Sequence, residues 1–91
     1  MSVSVRVPTI LRPYTQGVSE VSVEGSTLSE VLDSLDSSYP GIKSRVLDDS
    51  GELRRFVNVY VDNDDVRFAE GLQTVIKDGG EVSIIPAVAG G

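Results

Sequence analysis

Val3, Val5 and Val7 alternate with Ser4 and Arg6, the period-two pattern of a strand with one buried face, and Pro8 stops it. Thr9 to Gly17 carries Pro13 and Gly17 and reads as a loop or turn. Val21 and Val23 then alternate with Glu20, Ser22 and Glu24, a second strand ended by Gly25. These two strands are expected to pair as a hairpin with a longish connection.

The pattern then changes period. Leu28, Val31, Leu32 and Leu35 fall at i, i+3, i+4 and i+7, one apolar helical face, with Glu30, Asp33 and Asp36 off it. Thr27 and Glu30 form a T-x-x-E capping box, whose side chains satisfy first-turn N–H groups. Tyr39-Pro40-Gly41 closes the helix, because the residue before Pro avoids helical angles and Gly accepts left-handed ones.

Ile42, Val46 and Leu47 suggest one or two short helical turns, and residues 48–52 a polar loop. Phe56 to Val61 is the clearest strand, with Val57, Val59 and Val61 on one face and Phe56, Asn58 and Tyr60 on the other. Residues 62–65 read as a turn, Val66 to Phe68 as a short strand, and Leu72, Val75 and Ile76 as one helical turn before Asp78-Gly79-Gly80. The last strand runs from Glu81 to Ile85 and ends at Pro86. A ferredoxin-like arrangement would need a second full helix. The order predicts instead an α+β β-grasp, a four- to five-stranded mixed sheet over one main helix, filling residues 1–86 and followed by a flexible tail, 87–91.

Composition agrees with a small sheet-rich domain. Fifteen valines and five isoleucines stand against seven leucines in 91 residues, and β-branched side chains pack well on a pleated surface. No Cys and no His are present, which removes thiolate nucleophiles, Cys/His zinc sites and imidazole bases. A net charge of −6 argues against nucleic acid as a partner. The apolar runs are too short for a membrane helix and the N-terminus lacks a secretory pattern, so the cytoplasm is the expected location.

Few motifs carry chemistry. Asp62, Asp64 and Asp65 start like a calcium loop, but Arg67 and Gln73 stand where the loop needs Gly and Glu. No phosphate-cradling glycine motif occurs, and no carboxylate pair stands out as catalytic. Neither a catalytic nor a metal-binding residue is expected. Arg54 and Arg55, the only adjacent basic residues, read as a solvated pair. The terminal Gly90-Gly91 is different. Glycine has no Cβ, so such an end threads a narrow channel and leaves its carboxylate open to attack. A frayed end is the plain alternative; the position after a last strand and a proline favours function.

The segments Val7-Pro8-Thr9-Ile10-Leu11-Arg12-Pro13, Phe56-Val57-Asn58-Val59-Tyr60-Val61 and Ile85-Pro86-Ala87-Val88-Ala89-Gly90-Gly91 resemble, in order and across essentially the whole chain, the ThiS/MoaD family of ubiquitin-like sulfur carrier proteins. Within it they are most like the actinobacterial CysO type. The resemblance implies a protein co-substrate, not an enzyme, that binds no cofactor of its own. An E1-like activating enzyme would adenylate the Gly91 carboxylate with ATP and Mg, and sulfur would replace AMP to give a thiocarboxylate. Ala87, Val88, Ala89 and Gly90 would thread into partner active sites. The sulfur would pass to a PLP-dependent cysteine synthase, using O-phosphoserine, or to another sulfur-accepting synthase, with a JAMM-type metalloprotease releasing the product. Docking is expected through the open sheet face, where whichever of Phe56 and Tyr60 is exposed contributes. Two other classes stay open: a ubiquitin-like modifier conjugated to lysines through Gly91, and a β-grasp binding module without terminal chemistry.

Overall fold

The computed structural model describes residues 2–54 and 57–86. Strands β1 (Ser2–Arg6), β2 (Glu20–Glu24), β3 (Val57–Val61), β4 (Asp64–Asp65) and β5 (Glu81–Pro86) form one sheet in the order β2-β1-β5-β3-β4. β1 is antiparallel to β2 and parallel to β5, and β3 is antiparallel to both β5 and β4. Helix α1 (Leu28–Ser38) covers one face, and the single turn α2 (Lys43–Val46) follows it. This is the expected β-grasp.

The valine alternation decides which face is covered. Val3, Val5, Val21, Val23, Val57, Val59, Val61, Val82 and Ile84 are buried and meet Leu28, Val31, Leu32 and Leu35 of α1 in one core. Ile42, Val46 and Leu47 close its end. Each fully buried aliphatic side chain contributes about 1.5–3 kcal/mol relative to an exposed one.

The start of α1 is fixed at both sides of its cap. Thr27 Oγ1 accepts from the Glu30 N–H at 3.3 Å. Glu30 reaches back one residue further than the box predicts, accepting from the Ser26 N–H and the Ser26 hydroxyl, both at 2.8 Å. Those two donors, the backbone one first, hold the Glu30 carboxyl below its ordinary pKa.

Four segments differ from the sequence reading. Thr9–Thr15 is a 3-10 helix rather than irregular loop; it buries Leu11 and Thr15, and the Thr15 hydroxyl donates to the Arg12 and Val18 carbonyls. The turn expected over residues 62–65 is only Asp62-Asn63. Both have positive φ, 49° and 77°, as a tight two-residue hairpin requires, so Asp64 and Asp65 are already strand. Val66–Phe68 is a 3-10 turn, not a strand, because Asp65 Oδ1 accepts the Arg67 N–H and winds the chain.

The expected helical turn through Leu72, Val75 and Ile76 also fails. The 3-10 turn covers Gly71–Gln73. Residues 74–76 instead lie extended against the start of α1, through Leu28 N–H to Thr74 O at 3.0 Å and Ile76 N–H to Ser26 O at 2.9 Å. The extended period puts Ile76 in the core and leaves Val75 71% exposed.

Candidate functional site

β5 is a central strand. Its first residues pair with β1 (Ser4↔Glu81 through Arg6↔Ser83), and its far side pairs with β3 as far as Val57↔Pro86. β5 is thus held on both sides over its first residues, Glu81–Ser83, and by β3 alone from Ile84 to Pro86. The expected reactive residue Gly91, the threading residues Ala87, Val88, Ala89 and Gly90, and Phe56 of the expected docking face lie outside the described residues.

The sheet face away from α1 carries Asn58 and Tyr60 of β3 beside Ser83 and Ile85 of β5, in the register Asn58↔Ile85 and Tyr60↔Ser83. Tyr60 is half-buried there, and Ile85 is 48% exposed. Further across, Arg6 Nε lies 3.3 Å from Glu81 Oε2 and 3.9 Å from Glu20 Oε2, ion pairs in solvent that contribute little to stability.

Two arginines bind backbone carbonyls at the end of β1 and at the start of β3. The segment after β1 folds back so that Arg12 Nε donates to the Val7 carbonyl at 3.3 Å, and Ile10 beside it is 67% exposed. On the other side Arg67 donates to Asn58 Oδ1 at 2.6 Å and to the Arg54 and Val57 carbonyls at 2.7 Å each. Arg67 thus holds the first residues of β3, one of which is the ladder partner of Pro86. Sequence reasoning missed this role, since a lone arginine after an acidic turn has no distinguishing pattern.

The aspartates act as turn-makers. Asp62 Oδ1 accepts the Glu81 N–H at 3.0 Å and Asp65 Oδ1 the Arg67 N–H at 2.9 Å. Among the described residues no cluster of carboxylates is placed to hold a metal ion, and no helix is long and apolar enough to cross a membrane. Among the described residues, one open depression of about 350 Å³ is lined by Arg6, Val7, Arg12, Ser19 and Glu20.

The family model described as the ThiS family matches residues 5–91. The chain belongs to the ThiS family. Among ThiS-like relatives, the sulfur carrier protein CysO of Mycobacterium tuberculosis (strain ATCC 25618 / H37Rv) is 54% identical over 93 residues, covering 100% of both chains. A chain of the Amycolatopsis orientalis BexX/CysO complex superimposes with a TM-score of 0.92 at 47% identity, covering 98% of this chain and 99% of that one. The small archaeal modifier protein 1 of Methanosarcina acetivorans gives a TM-score of 0.82 at 32% identity, covering 99% and 96%.

Proposed function

We propose that this ThiS-family chain is a sulfur carrier whose working group is the Gly91 carboxylate. The observation that carries the reading is the end-to-end match to a protein named as a sulfur carrier, 54% identical with both chains covered in full. The central position of β5 supports it, because the strand that precedes the tail is anchored between β1 and β3.

The chemistry balances with partners of ordinary kinds. A carboxylate is a poor electrophile. Attack of Gly91 on the α-phosphorus of ATP, with Mg held by an E1-like enzyme, forms an acyl-adenylate and releases pyrophosphate. Hydrosulfide or an enzyme persulfide then displaces AMP and leaves a thiocarboxylate, a persulfide donor needing a thiol to complete the release. The thiocarboxylate sulfur would add to the β-carbon of an acceptor that a PLP-dependent synthase would make from O-phosphoserine with loss of phosphate. The thioester so formed would pass its acyl group from sulfur to the amine, and hydrolysis of that amide by a metalloprotease of the JAMM type would free cysteine and restore the Gly91 carboxylate. In this scheme the carrier supplies no catalytic group. It holds a reactive end that Gly90 and Gly91 keep thin, with Ala87, Val88 and Ala89 as small threading residues and the open face around Tyr60 and Phe56 as the docking surface. A need for ATP supports a cytoplasmic location.

Alkylation after incubation with an E1-like enzyme, Mg-ATP and sulfide tests the reading. With no cysteine in the chain, an ATP-dependent iodoacetamide adduct on the C-terminal peptide is expected, and one residue added after Gly91 abolishes it. Absence of the adduct, with an enzyme active on another carrier and with native lysate, sinks the proposal. The likeness to an archaeal modifier protein favours a second reading, conjugation to lysines; high-mass conjugates dependent on Gly91 would decide for it.

A further inference from the structure

Eight basic residues offset 14 acidic ones in this chain, and four of the eight gather at the end of the sheet where the tail leaves. Arg12 is tied to the Val7 carbonyl just beyond β1. Arg45 donates to the Tyr14 hydroxyl and lies 5.5 Å from the centre of that ring. Arg54 Nε donates to the Ser44 carbonyl at 3.0 Å. Arg67 holds the Arg54 and Val57 carbonyls, and Val57 pairs with Pro86, about 5 Å across the ladder. Arg45 ties α2 to the 3-10 segment that carries Arg12, Arg54 ties back to α2, and Arg67 binds Arg54 and Val57. The four arginines thus follow an arc of linked segments from the end of β1 to the start of β3, where Val57 pairs with Pro86.

The partners within the arc are carbonyl oxygens, an amide and a phenol. Such bonds aim a guanidinium without cancelling its charge. Among the described residues, ion pairs join carboxylates only to Arg6 and Lys43. The nearby carboxylates Asp48, Asp49 and Glu52 sit on a separate turn, where Asp48 Oδ1 takes the N–H groups of Ser50 and Glu52. Arg45, Arg54 and Arg67 are exposed and Arg12 is half-buried. Four arginines not paired with a carboxylate thus stand together in a chain whose net charge is −6.

We infer that this arc is a docking surface for carboxylates on the rim of the partner cleft that receives the tail. The inference rests on the carrier reading and adds to it the chemistry of the partner surface. Pre-aimed guanidiniums suit carboxylates, which they can meet in forked geometry. The acidic remainder of the molecule repels an extended polyanion such as nucleic acid, yet leaves a local meeting with protein carboxylates favourable. Charge complementarity of this kind raises association rate and fixes orientation. It also turns the carrier, since opposite signs at its two ends favour approach with the tail foremost.

The probe is BexX, the protein in complex with the Amycolatopsis orientalis relative, titrated calorimetrically with this chain. The test variant is Arg12→Gln/Arg45→Gln/Arg54→Gln. A charge-matched control, Gln73→Glu/Lys77→Glu, makes the same change of three units at the far end. Thermal melts confirm that both fold. The variant is expected to bind about tenfold or more weakly at low salt, with the control near wild type. Raising salt from about 50 to about 500 mM weakens the wild type but hardly changes the variant. Equal affinity of wild type and variant, equal weakening of variant and control, or no binding by the wild type overturns the inference. The alkylation assay on the wild type scores the carrier reading separately: a thiocarboxylate that forms while the arc fails leaves the carrier standing and removes only the arc.

Discussion

Ser26 and Glu30 show how one carboxylate can gate a helix start. Glu30 accepts two hydrogen bonds from Ser26, and its pKa is lowered for that reason. Only the ionised form accepts both with full strength. The stabilisation is therefore complete above the pKa of the unfolded chain and is lost as the pH falls through the lower, folded value. Glu30→Gln keeps the shape but removes the titration. The variant should be less stable than wild type near neutral pH, with the gap closing in acid; urea melts across that range measure it, and a gap independent of pH would refute the assignment. The sequence marked Thr27 and Glu30 as a cap through their spacing alone. It could not say that Glu30 would choose the Ser26 donors over that of Thr27, because the choice depends on how the chain turns in from β2.

Elements with a long, regular pattern were legible in this chain, and short ones were not. The valine alternation in β1, β2 and β3 and the spacing of Leu28, Val31, Leu32 and Leu35 each repeat often enough to name a period. Val66–Phe68 and Gly71–Gln73 are three residues each, too few to show one, and local bonds to Asp65 and Thr74 side chains decide their winding. The connection between β2 and α1 depends on an atom that is absent. A Cβ on Gly25 would stand 2.8 Å from Val31 N and 2.9 Å from Val31 Cγ2, with α1 backbone on that side. Gly25→Ala should cost about 1–3 kcal/mol, as other overpacked sites do. Gly51→Ala meets no atom within 4 Å but keeps φ at +82°, so it should cost about 1–2 kcal/mol through backbone strain alone. Urea denaturation separates the two: a core side-chain swap of Val31→Ala should relieve part of the Gly25→Ala penalty and none of the Gly51→Ala penalty.

At the scale of the molecule, the β-grasp itself was legible, because the period-two and helical segments follow one another in the order that a mixed sheet over one main helix needs. The arginine arc was not. Arg12, Arg45, Arg54 and Arg67 are scattered along the sequence, and only the return of the 3-10 segment, α2 and the 3-10 turn after β4 toward the start of β3 links them. The same topology sets how the domain bears load. β1 and β5 run parallel and adjacent, joined by the register Ser4↔Glu81 to Arg6↔Ser83 and by Ser4 N–H to Gly80 O at 3.0 Å. Opposed tension on Ser2 and Pro86 slides these strands lengthwise, so the bonds between them must fail together. Tension between Ser2 and Gly25 opens the β1–β2 hairpin one rung at a time. In single-molecule pulling, the first geometry should give one high rupture peak and the second a low, gradual one. An enzyme that tugs on the end of the tail meets a strand clamped on both flanks, and so the body of the protein acts as an anchor against which the end can be drawn taut.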